Sequence, residues 1–203
     1  WDPMAGTVDD AALDGTDAVV NLAGPGIGDK RWTPAYKALG RDARVAGTGA
    51  IARAVARHKI RVLVSGSAVG WYGDRGDDLL SESDPAGTGF LADLVRDWEA
   101  ATAPAEQAGA RVVHIRTGIV LSPKGGALGK MLPIFKAGLG GRLGSGRQWT
   151  SWISLADEIA AIRYVLDSKM SGPANLTAPQ PVTNRELTKS LSRALHRPAF
   201  AAA

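Results

Sequence analysis

The chain has 203 residues, of which 45% are hydrophobic and 22% are charged, so it has room for one large domain or for a domain with a small lobe. The absence of cysteine excludes a disulfide framework and a thiolate metal site, and it suits a reducing cytosol. The net charge of +4 is scattered among acidic residues without a basic block, which argues against nucleic acid as a partner.

The first predicted elements are a short helix at residues 8–13 and a buried strand at residues 17–22. The strand ends in Ala23-Gly24-Pro25-Gly26, a turn that cannot continue a strand and that lets a ligand approach the backbone closely. Residues 41–58 form the next helix, because their small and apolar side chains fall on one face at helical spacing. A strand, a helix and a following strand imply a right-handed parallel crossover.

The stretch that organises the rest of the chain comes next, at residues 59–76. An apolar run from Ile60 to Val64 predicts a buried strand of a parallel sheet, and it leads into small polar residues. Ligands of such sheets bind beyond the carboxyl ends of the strands, so Ser65, Ser67 and Tyr72 are expected where chemistry takes place. The alternative interpretation is a strand followed by a glycine-rich turn that carries no site.

The second half of the chain continues the alternation. A helix over residues 91–107 is ended or kinked by Pro104, and a strand over residues 111–116 ends in Thr117-Gly118. The later predicted elements are helices at residues 127–137, 155–166 and 186–195, with an extended segment at 148–153 and a short strand at 175–178. Strands and helices in alternation predict an α/β fold with a doubly wound parallel sheet.

Two groups of residues have both a functional and a structural interpretation. Arg142 and Arg147 flank a glycine-rich loop and can clamp a phosphate bidentately, or they can lie on an ordinary surface loop. Trp149 can stack on a sugar or a base, although an aromatic residue there can equally serve packing. The three histidines lack metal-ligand spacing, and His114 is interpreted as a hydrogen-bonded core residue.

Several motifs together resemble one protein family. They are Asp17-Ala-Val-Val-Asn-Leu-Ala-Gly24, Arg44-Val-Ala-Gly-Thr48, Ser65-Gly-Ser-Ala-Val-Gly-Trp-Tyr-Gly73, Arg116-Thr-Gly-Ile-Val-Leu121, Gly140-Gly-Arg-Leu-Gly-Ser-Gly-Arg-Gln-Trp149, Trp152-Ile-Ser-Leu-Ala-Asp157 and Asn175-Leu-Thr-Ala-Pro179. Across nearly the whole chain they resemble the atypical extended short-chain dehydrogenases/reductases, specifically the nucleoside-diphosphate-sugar epimerase-like (YfcH-like) proteins.

The resemblance implies a Rossmann-like domain with a small substrate-binding lobe. The domain is expected at residues 1–122 and 154–170, and the lobe at residues 123–153 and 171–203. Family members open with a strand, a G-x-x-G-x-x-G turn and a helix that holds the cofactor pyrophosphate, and nothing before Trp1 supplies this unit. The natural protein is therefore expected to carry about 50–70 further N-terminal residues, together with a C-terminal tail.

The sequence departs from the family pattern at the two residues that are catalytic in short-chain dehydrogenases. Short-chain dehydrogenases use Tyr-x-x-x-Lys, in which tyrosine is the acid or base and lysine lowers its pKa from about 10. The matching helix here carries Phe90 and Leu94, which have neither a proton to give nor a charge. Ser67 keeps the serine position, and Tyr72 is the nearest phenol, so these two are the predicted catalytic residues.

What the resemblance implies for ligands is an NADP or NAD cofactor, with NADP preferred, and a small substrate such as a nucleotide-sugar. The predicted cofactor-binding residues lie at strand ends and on the helix after the first strand: Asn21, Leu22, Ala23, Gly24, Arg44, Ser65, Thr117 and Gly118. The predicted substrate-binding residues are Arg142, Arg147 and Trp149. No metal, nucleic acid or membrane partner is expected, the location is expected to be cytoplasmic, and a homodimer is left open.

Two functions remain open at this point. The first is an NAD(P)-dependent oxidoreductase or epimerase-like enzyme that moves a hydride between nicotinamide and a carbinol carbon. The second is a non-catalytic dinucleotide-binding or sensor protein that keeps the fold without the tyrosine and lysine. Phe90 and Leu94 favour the second function, whereas the small polar strand ends favour the first.

Overall fold

Strands and helices alternate along the chain in the computed structural model, which describes residues 1–2 and 5–202. The helices are α1 (Pro34–Arg57), α2 (Phe90–Ala100), α3 (Ala103–Gln107), α4 (Gly126–Lys136), α5 (Leu155–Asp167) and α6 (Asn184–Leu195). The strands are β1 (Ala18–Asn21), β2 (Val62–Ala68), β3 (Arg111–Thr117), β4 (Ile119–Leu121), β5 (Gly141–Arg142), β6 (Trp149–Thr150), β7 (Trp152–Ser154), β8 (Gly172–Leu176), β9 (Val182–Thr183) and β10 (Ala201–Ala202). Two 3-10 turns cover Asp10–Leu13 and Val69–Tyr72.

The main sheet has four strands in the order β1-β2-β3-β8. β1 and β2 pair in parallel, with Asn21 opposite Ser65, so these two predicted site residues lie at the same sheet edge. Crossover helices lie between the strands in sequence, as a parallel sheet requires. The structure thus confirms the predicted α/β fold with a parallel sheet. The remaining strands form two-stranded pairs, β4 with β7, β5 with β10 and β6 with β9.

The sequence predicts that a helical region begins within residues 32–37, and helix α1 begins there, at Pro34. The Thr33 hydroxyl caps it by accepting a hydrogen bond from the Tyr36 amide at 3.2 Å, and Pro34 fits the first helical position because its nitrogen has no hydrogen to donate. The helix then runs without a break to Arg57. Gly40, Gly47 and Gly49 are buried within the helix, and because they lack side chains they weaken its apolar periodicity.

The predicted helix over residues 91–107 is two helices in the structure. α2 ends at Ala100 and α3 begins at Ala103, so Pro104 lies in the first turn of α3. Proline is tolerated there because the first amide groups of a helix lack partners in any case. The break therefore precedes the proline rather than following it, and the Thr102 hydroxyl donates to the Glu99 carbonyl oxygen at 2.8 Å across it.

The core lies between α1, α3 and the sheet. Its buried members are Ile51, Ala52, Val55, Ile60, Leu63, Ala105 and Val112. The predicted core histidine is confirmed: His114 is 8% exposed, and its Nε2 lies 2.9 Å from the Thr102 hydroxyl. Burial lowers the pKa of His114, which keeps the imidazole neutral inside the fold.

A close backbone approach fixes the loop between Tyr72 and α2. The Gly87 amide donates to the Trp71 carbonyl oxygen at 2.9 Å. A Cβ atom added at Gly87 would lie 2.0 Å from the Tyr72 carbonyl oxygen, so no side chain fits at that position. Glycine at residue 87 therefore holds the loop against the residue that carries the predicted phenol.

The chain divides into two compact units, residues 1–116 with 161–175 and residues 117–160 with 176–203. The first unit contains the core and most of the four-stranded sheet, and the second contains the two-stranded pairs. The assignment of residues 1–122 and 154–170 to cofactor binding and of residues 123–153 and 171–203 to substrate binding stays a prediction.

Candidate active site

The end of β1 is held in place by the buried side chain of Asn21. Its Nδ2 donates a hydrogen bond to the Thr48 hydroxyl at 3.1 Å, and its Oδ1 accepts one from the Ala23 amide at 3.3 Å. Asn21 is only 5% exposed. This predicted cofactor-binding residue therefore shapes the turn after β1, and its partner Thr48, which also accepts from the Trp98 indole at 2.8 Å, was missed as a site residue.

The ends of β1 and β2 offer a ligand their backbone rather than their polar side chains. Ser65 is completely buried, and its hydroxyl donates to the Gly66 carbonyl oxygen at 3.3 Å. Leu22, in contrast, is 59% exposed, and Gly24 two residues later is also exposed. The segment from Leu22 to Gly24 is thus the part of the predicted cofactor set that a ligand can reach.

Arg44 supports this turn from the middle of α1. Its Nη2 donates to the Pro25 carbonyl oxygen at 2.7 Å, and its Nη1 donates to the Gly40 carbonyl oxygen at 3.1 Å. The guanidinium carbon lies 5.1 Å from the centre of the Trp98 ring, and burial lowers the pKa of Arg44. Because both terminal nitrogens donate to protein carbonyl groups, Arg44 fixes the shape of the turn.

Ser67 is buried at the end of β2 and forms part of a charged network. Its hydroxyl donates to Glu99 Oε1 at 2.6 Å. Arg116 in β3 donates two hydrogen bonds to the same carboxylate, from Nε to Oε1 at 2.9 Å and from Nη2 to Oε2 at 3.0 Å. Two-pronged pairing fixes the orientation of both groups. Since the one proton of Ser67 is directed at Glu99, its hydroxyl has only lone pairs left for a ligand.

Tyr72 joins the same network from the 3-10 turn that follows β2. Its hydroxyl donates to Asn175 Oδ1 at 2.7 Å and accepts from Arg116 Nη1 at 3.2 Å. The backbone amide of Asn175 in turn donates to Glu82 Oε1 at 2.8 Å. Tyr72 is 5% exposed, so its phenol is enclosed and its proton has a protein partner.

Arg116 is the centre of this network, which we call the arginine network (Ser67, Tyr72, Glu99, Arg116 and Asn175). Arg116 is 2% exposed, and its guanidinium carbon lies 3.9 Å from the centre of the Trp71 ring. Burial alone would lower the pKa of Arg116, but the hydrogen bonds to Glu99 and Tyr72 outweigh it and raise that pKa. The cation is therefore permanent, and it connects the two predicted catalytic hydroxyl groups.

Three members of the arginine network, Glu99, Arg116 and Asn175, were not among the predicted site residues. Glu99 lies within a helix and Arg116 at the end of an apolar strand, and each is an ordinary residue at such a place. One feature of the sequence could have indicated Arg116. It is a charged residue in an otherwise buried run of its strand, where Val113 and Ile115 have no exposed surface. Fully buried charges are rare unless they are paired, so such a charge predicts a partner without naming it.

The positions of the missing tyrosine and lysine are apolar. Leu94 is 2% exposed inside α2, where an ammonium group would have no water around it. The Phe90 ring packs edge to face against Trp32, with ring centres 5.8 Å apart. A cation nevertheless lies there, because the ammonium nitrogen of Lys37 in α1 is 5.1 Å from the centre of the Phe90 ring.

Thr117 and Gly118 belong to the second unit. The Thr117 hydroxyl donates to Glu158 Oε1 at 2.8 Å, while Glu158 Oε2 has no hydrogen-bond partner among the described residues. Burial raises the pKa of Glu158, and the hydrogen bond from Thr117 offsets only part of that rise.

The Gly118 amide donates to the Leu176 carbonyl oxygen at 3.1 Å, and a Cβ at Gly118 would lie 2.6 Å from the Ser151 carbonyl oxygen. Close packing therefore requires this glycine.

The raised pKa of Glu158 predicts a stability effect that depends on pH. The contribution of this carboxyl is fully present below the unfolded pKa of 4.5 and is lost as pH rises through the higher folded pKa. Glu158→Gln cannot ionise. We therefore expect its free energy of unfolding, relative to the unmodified protein, to improve as pH rises above 4.5 in urea titrations.

Glu186 provides a control for this prediction, because its pKa is shifted in the opposite direction. Hydrogen bonds from the Thr183 amide and hydroxyl lower the pKa of Glu186, so its contribution is present above the unfolded pKa and is lost as pH falls. Glu186→Gln should therefore lose relative stability as pH rises toward 4.5 and change little above it, whereas Glu158→Gln gains relative stability above 4.5. Parallel slopes for the two variants would contradict the assignment of a buried acid at Glu158.

The predicted substrate residues lie on one loop of the second unit. Arg142, Arg147 and Trp149 are all exposed. The loop is tied to the start of α6, since the Leu143 amide donates to Asn184 Oδ1 at 2.8 Å and the Arg185 amide donates to the Gly146 carbonyl oxygen at 2.9 Å. The loop thus places the three side chains on an anchored backbone, and their contact with a substrate stays a prediction.

Across residues 1–2 and 5–202, no group of three or more histidine and acidic side chains is arranged to hold a metal ion. Within the same part of the chain, every helix is too short or too polar to cross a bilayer.

Comparison with known proteins gives consistent matches. The sequence model of the NAD dependent epimerase/dehydratase family matches residues 5–177. An epimerase family protein of Mycobacterium bovis is 52% identical over 199 residues, which are 98% of this chain and 66% of that protein. The human epimerase family protein SDR39U1, solved with NADPH, superposes with a TM-score of 0.88 at 31% identity over 96% of this chain and 70% of that one.

A bacterial structure extends these matches. The nucleoside-diphosphate sugar epimerase of Corynebacterium glutamicum superposes with a TM-score of 0.80 at 40% identity, over 100% of this chain and 44% of that chain. This chain therefore spans just under two thirds of the length of the mycobacterial relative and less than half of the corynebacterial one.

Proposed function

This chain belongs to the NAD dependent epimerase/dehydratase family, as its motifs predicted, and we propose that it acts as an NAD(P)-dependent oxidoreductase or epimerase-like enzyme. The substrate is a nucleotide-sugar or another small carbonyl or alcohol compound. The observation that carries the proposal is the arginine network, in which the buried Arg116 contacts Tyr72 directly and Ser67 through the Glu99 carboxylate.

A dinucleotide fits the backbone at the end of β1. The exposed segment from Leu22 to Gly24 leaves its surface open, while Asn21 and Arg44 fix the turn from behind. Ser65 supports this edge from inside the sheet. The roles of Thr117 and Gly118 in cofactor binding remain predictions from the sequence. A bound nicotinamide cofactor supplies or accepts the hydride. NADP is preferred over NAD, and the human relative was solved with NADPH.

The residues of this chain then orient the substrate oxygen and move its proton. Because the Ser67 proton is directed at Glu99, Ser67 accepts a hydrogen bond from a substrate hydroxyl rather than donating one to a carbonyl. Tyr72 acts as acid or base once its hydroxyl exchanges Asn175 for the substrate oxygen. Arg116 keeps both hydroxyl groups in place through this exchange.

The second unit supplies substrate contacts in this proposal. Arg142 and Arg147 pair with an anionic group, and Trp149 stacks on a ring of the substrate, as their exposure on one anchored loop permits. The cytoplasmic location and a homodimeric state remain predictions.

A non-catalytic dinucleotide-binding or sensor protein is the second candidate. Two observations favour it: Phe90 and Leu94 stand where the family pattern has tyrosine and lysine, and both hydroxyl protons of the arginine network are directed inward. In this function the chain binds the dinucleotide and signals its presence without turnover.

One pair of measurements separates the two functions. We expect NADPH to bind in isothermal titration calorimetry and to be consumed, as absorbance at its nicotinamide band, when the protein meets a panel of aldehydes, ketones and nucleotide-sugars. Binding without consumption across the panel would establish the sensor function. Absence of binding by both NADPH and NADH would contradict both candidates.

A further inference from the structure

A long connection without helix or strand follows Tyr72 and leads to α2. It covers residues 73–89, and its two ends meet, since the Gly87 amide donates to the Trp71 carbonyl oxygen at 2.9 Å. A surface connection of this length whose ends lie close together is uncommon in a compact domain and is usually functional. Its central part, residues 74–86, lies beside the arginine network and is called the 74–86 loop below.

The 74–86 loop keeps its shape through bonds within itself. None of its side chains is buried, and Leu79 is 93% exposed. Arg75 pairs with Asp78 at 3.5 Å, and the Ser81 amide and hydroxyl donate to Asp84 Oδ2 at 2.7 and 2.9 Å. Segments that bury little apolar surface have low local stability and open most readily. The contacts that hold this loop against the rest of its unit are therefore polar.

Glu82 connects the loop to the arginine network. Its Oε1 accepts a hydrogen bond from the Asn175 amide at 2.8 Å, and its carbonyl oxygen accepts one from Arg116 Nη1 at 3.3 Å. The same Nη1 donates to the Tyr72 hydroxyl at 3.2 Å, so Glu82 lies beside the predicted catalytic phenol. Because Glu82 is exposed, water or another acceptor can replace it on these donors.

The observed arrangement encloses the phenol. Tyr72 is 5% exposed and Arg116 is 2% exposed, so a substrate reaches the Tyr72 hydroxyl only after something moves. Withdrawal of Glu82 would free one N–H of Arg116 Nη1 and the Asn175 amide. Both donors belong to groups that already bond to the Tyr72 hydroxyl or to its neighbour, and they suit the oxygen of a carbonyl or alcohol group.

We propose that the 74–86 loop is a gate over Tyr72 and that Glu82 is the latch that holds it closed. A substrate oxygen reaches the phenol when Glu82 releases Asn175 and Arg116, and the freed donors then serve that oxygen. The gate rests on the contacts of the loop, whereas what passes through it rests on the enzyme function proposed above. The population of the open state limits the apparent affinity for substrate.

Hydrogen exchange in ¹H–¹⁵N spectra measures the opening without cofactor. The reporter is the Trp71 indole N–H, whose acceptor is the Asp84 carbonyl oxygen at 3.2 Å and not Glu82. The chain has six tryptophans, so Trp71→Phe assigns the signal by its loss. After correction for intrinsic rates, we expect the Trp71 indole and the Asn175 amide to show equal protection. Both should exchange at least about tenfold faster than the amides of β2, which lies between β1 and β3.

Two variants of the loop test the latch. Glu82→Ala should speed exchange at the Trp71 indole about tenfold or more, because loss of a hydrogen bond to a charged group favours the open loop. Asp78→Ala removes a carboxylate that pairs within the loop, and it should leave this exchange unchanged. Protection in β2 should stay the same in both variants.

Several results would overturn the gate. They are unchanged Trp71 exchange in Glu82→Ala, an equal acceleration in Asp78→Ala, and Trp71 protection as high as that of β2 in the unmodified protein. Equal acceleration of Trp71 and β2 in Glu82→Ala would also overturn it, because Glu82 would then support the whole fold.

Turnover separates failure of the gate from failure of the enzyme function. For a compound that is consumed with NADPH, Glu82→Ala should lower KM about tenfold and change kcat little, because more of the protein is open. A KM that does not fall would show that the loop does not control access to Tyr72. A protein whose loop opens as expected but which consumes no NADPH contradicts the enzyme function and leaves the gate standing.

Discussion

Replacing Arg116 with methionine is expected to lower the free energy of unfolding by about 3–5 kcal/mol. The variant leaves the Glu99 carboxylate, which is 8% exposed, without the cation that grips both of its oxygens. An unpaired buried charge costs far more than the loss of an average contact, because neither water nor a counter-ion compensates it. Urea unfolding at neutral pH measures the loss.

Two further variants make this result specific. Arg41→Met removes a surface ion pair with Asp97, whose side chains are 48% and 32% exposed, and it should cost less than about 1 kcal/mol. The double variant Arg116→Met with Glu99→Leu removes both charges and should regain much of the stability lost in the single variant. If Arg116→Met is no more destabilising than Arg41→Met, the arginine network is not a desolvated ion pair.

If the proposed enzyme function holds, removing either of the two hydroxyl groups predicted to be catalytic is expected to lower turnover of NADPH by 10²–10⁴-fold, or roughly 3–5 kcal/mol of activation free energy. The variants are Ser67→Ala and Tyr72→Phe, measured with whichever compound of the panel is turned over. Each removes one oxygen from the arginine network and leaves the Arg116–Glu99 pair intact. The loss should therefore fall on kcat while NADPH affinity in calorimetry stays unchanged.

Tyr164→Phe is the matched control, since that phenol is 66% exposed on α5. It should retain full activity. Full activity in Tyr72→Phe would remove the phenol from the mechanism and leave water or another residue as the acid. Equal losses of NADPH affinity and turnover in both variants would indicate that the hydroxyl groups shape the fold rather than the reaction.

Local patterns predicted the strand ends and not the partners that meet there. β1 and β2 each follow from a short apolar run with small residues after it, and this is enough to place Asn21 and Ser65 at one edge. Glu99 and Arg116 could not be predicted in the same way, because they meet only when α2 and β3 pack beside β2. Long-range contacts of this kind leave no spacing rule in the sequence.

The start of α2 shows the same limit. Phe90 and Leu94 stand where the family pattern has tyrosine and lysine. The sequence pattern therefore predicts no lysine ammonium at this position. The structure brings Lys37 to the Phe90 ring from α1, 53 positions earlier in the sequence (90 − 37), where it resembled any exposed helix lysine. The capping box of Thr183 and Glu186, in contrast, follows from the local sequence Thr183-Asn-Arg-Glu186, because all of its partners lie within one helical turn.

The backbone contact at Gly87 has a consequence for the genetics of this protein. Every amino-acid replacement of glycine adds at least a Cβ, and here that atom collides with the Tyr72 carbonyl oxygen at 2.0 Å. Neither atom belongs to a flexible side chain, so the collision cannot be relieved without moving the loop. Missense alleles at codon 87 should consequently be rare in natural populations and depleted in saturation libraries, although residue 87 contributes no side chain to any reaction. Intolerance at this codon reports a steric limit, and it should not be counted as a sign of catalysis.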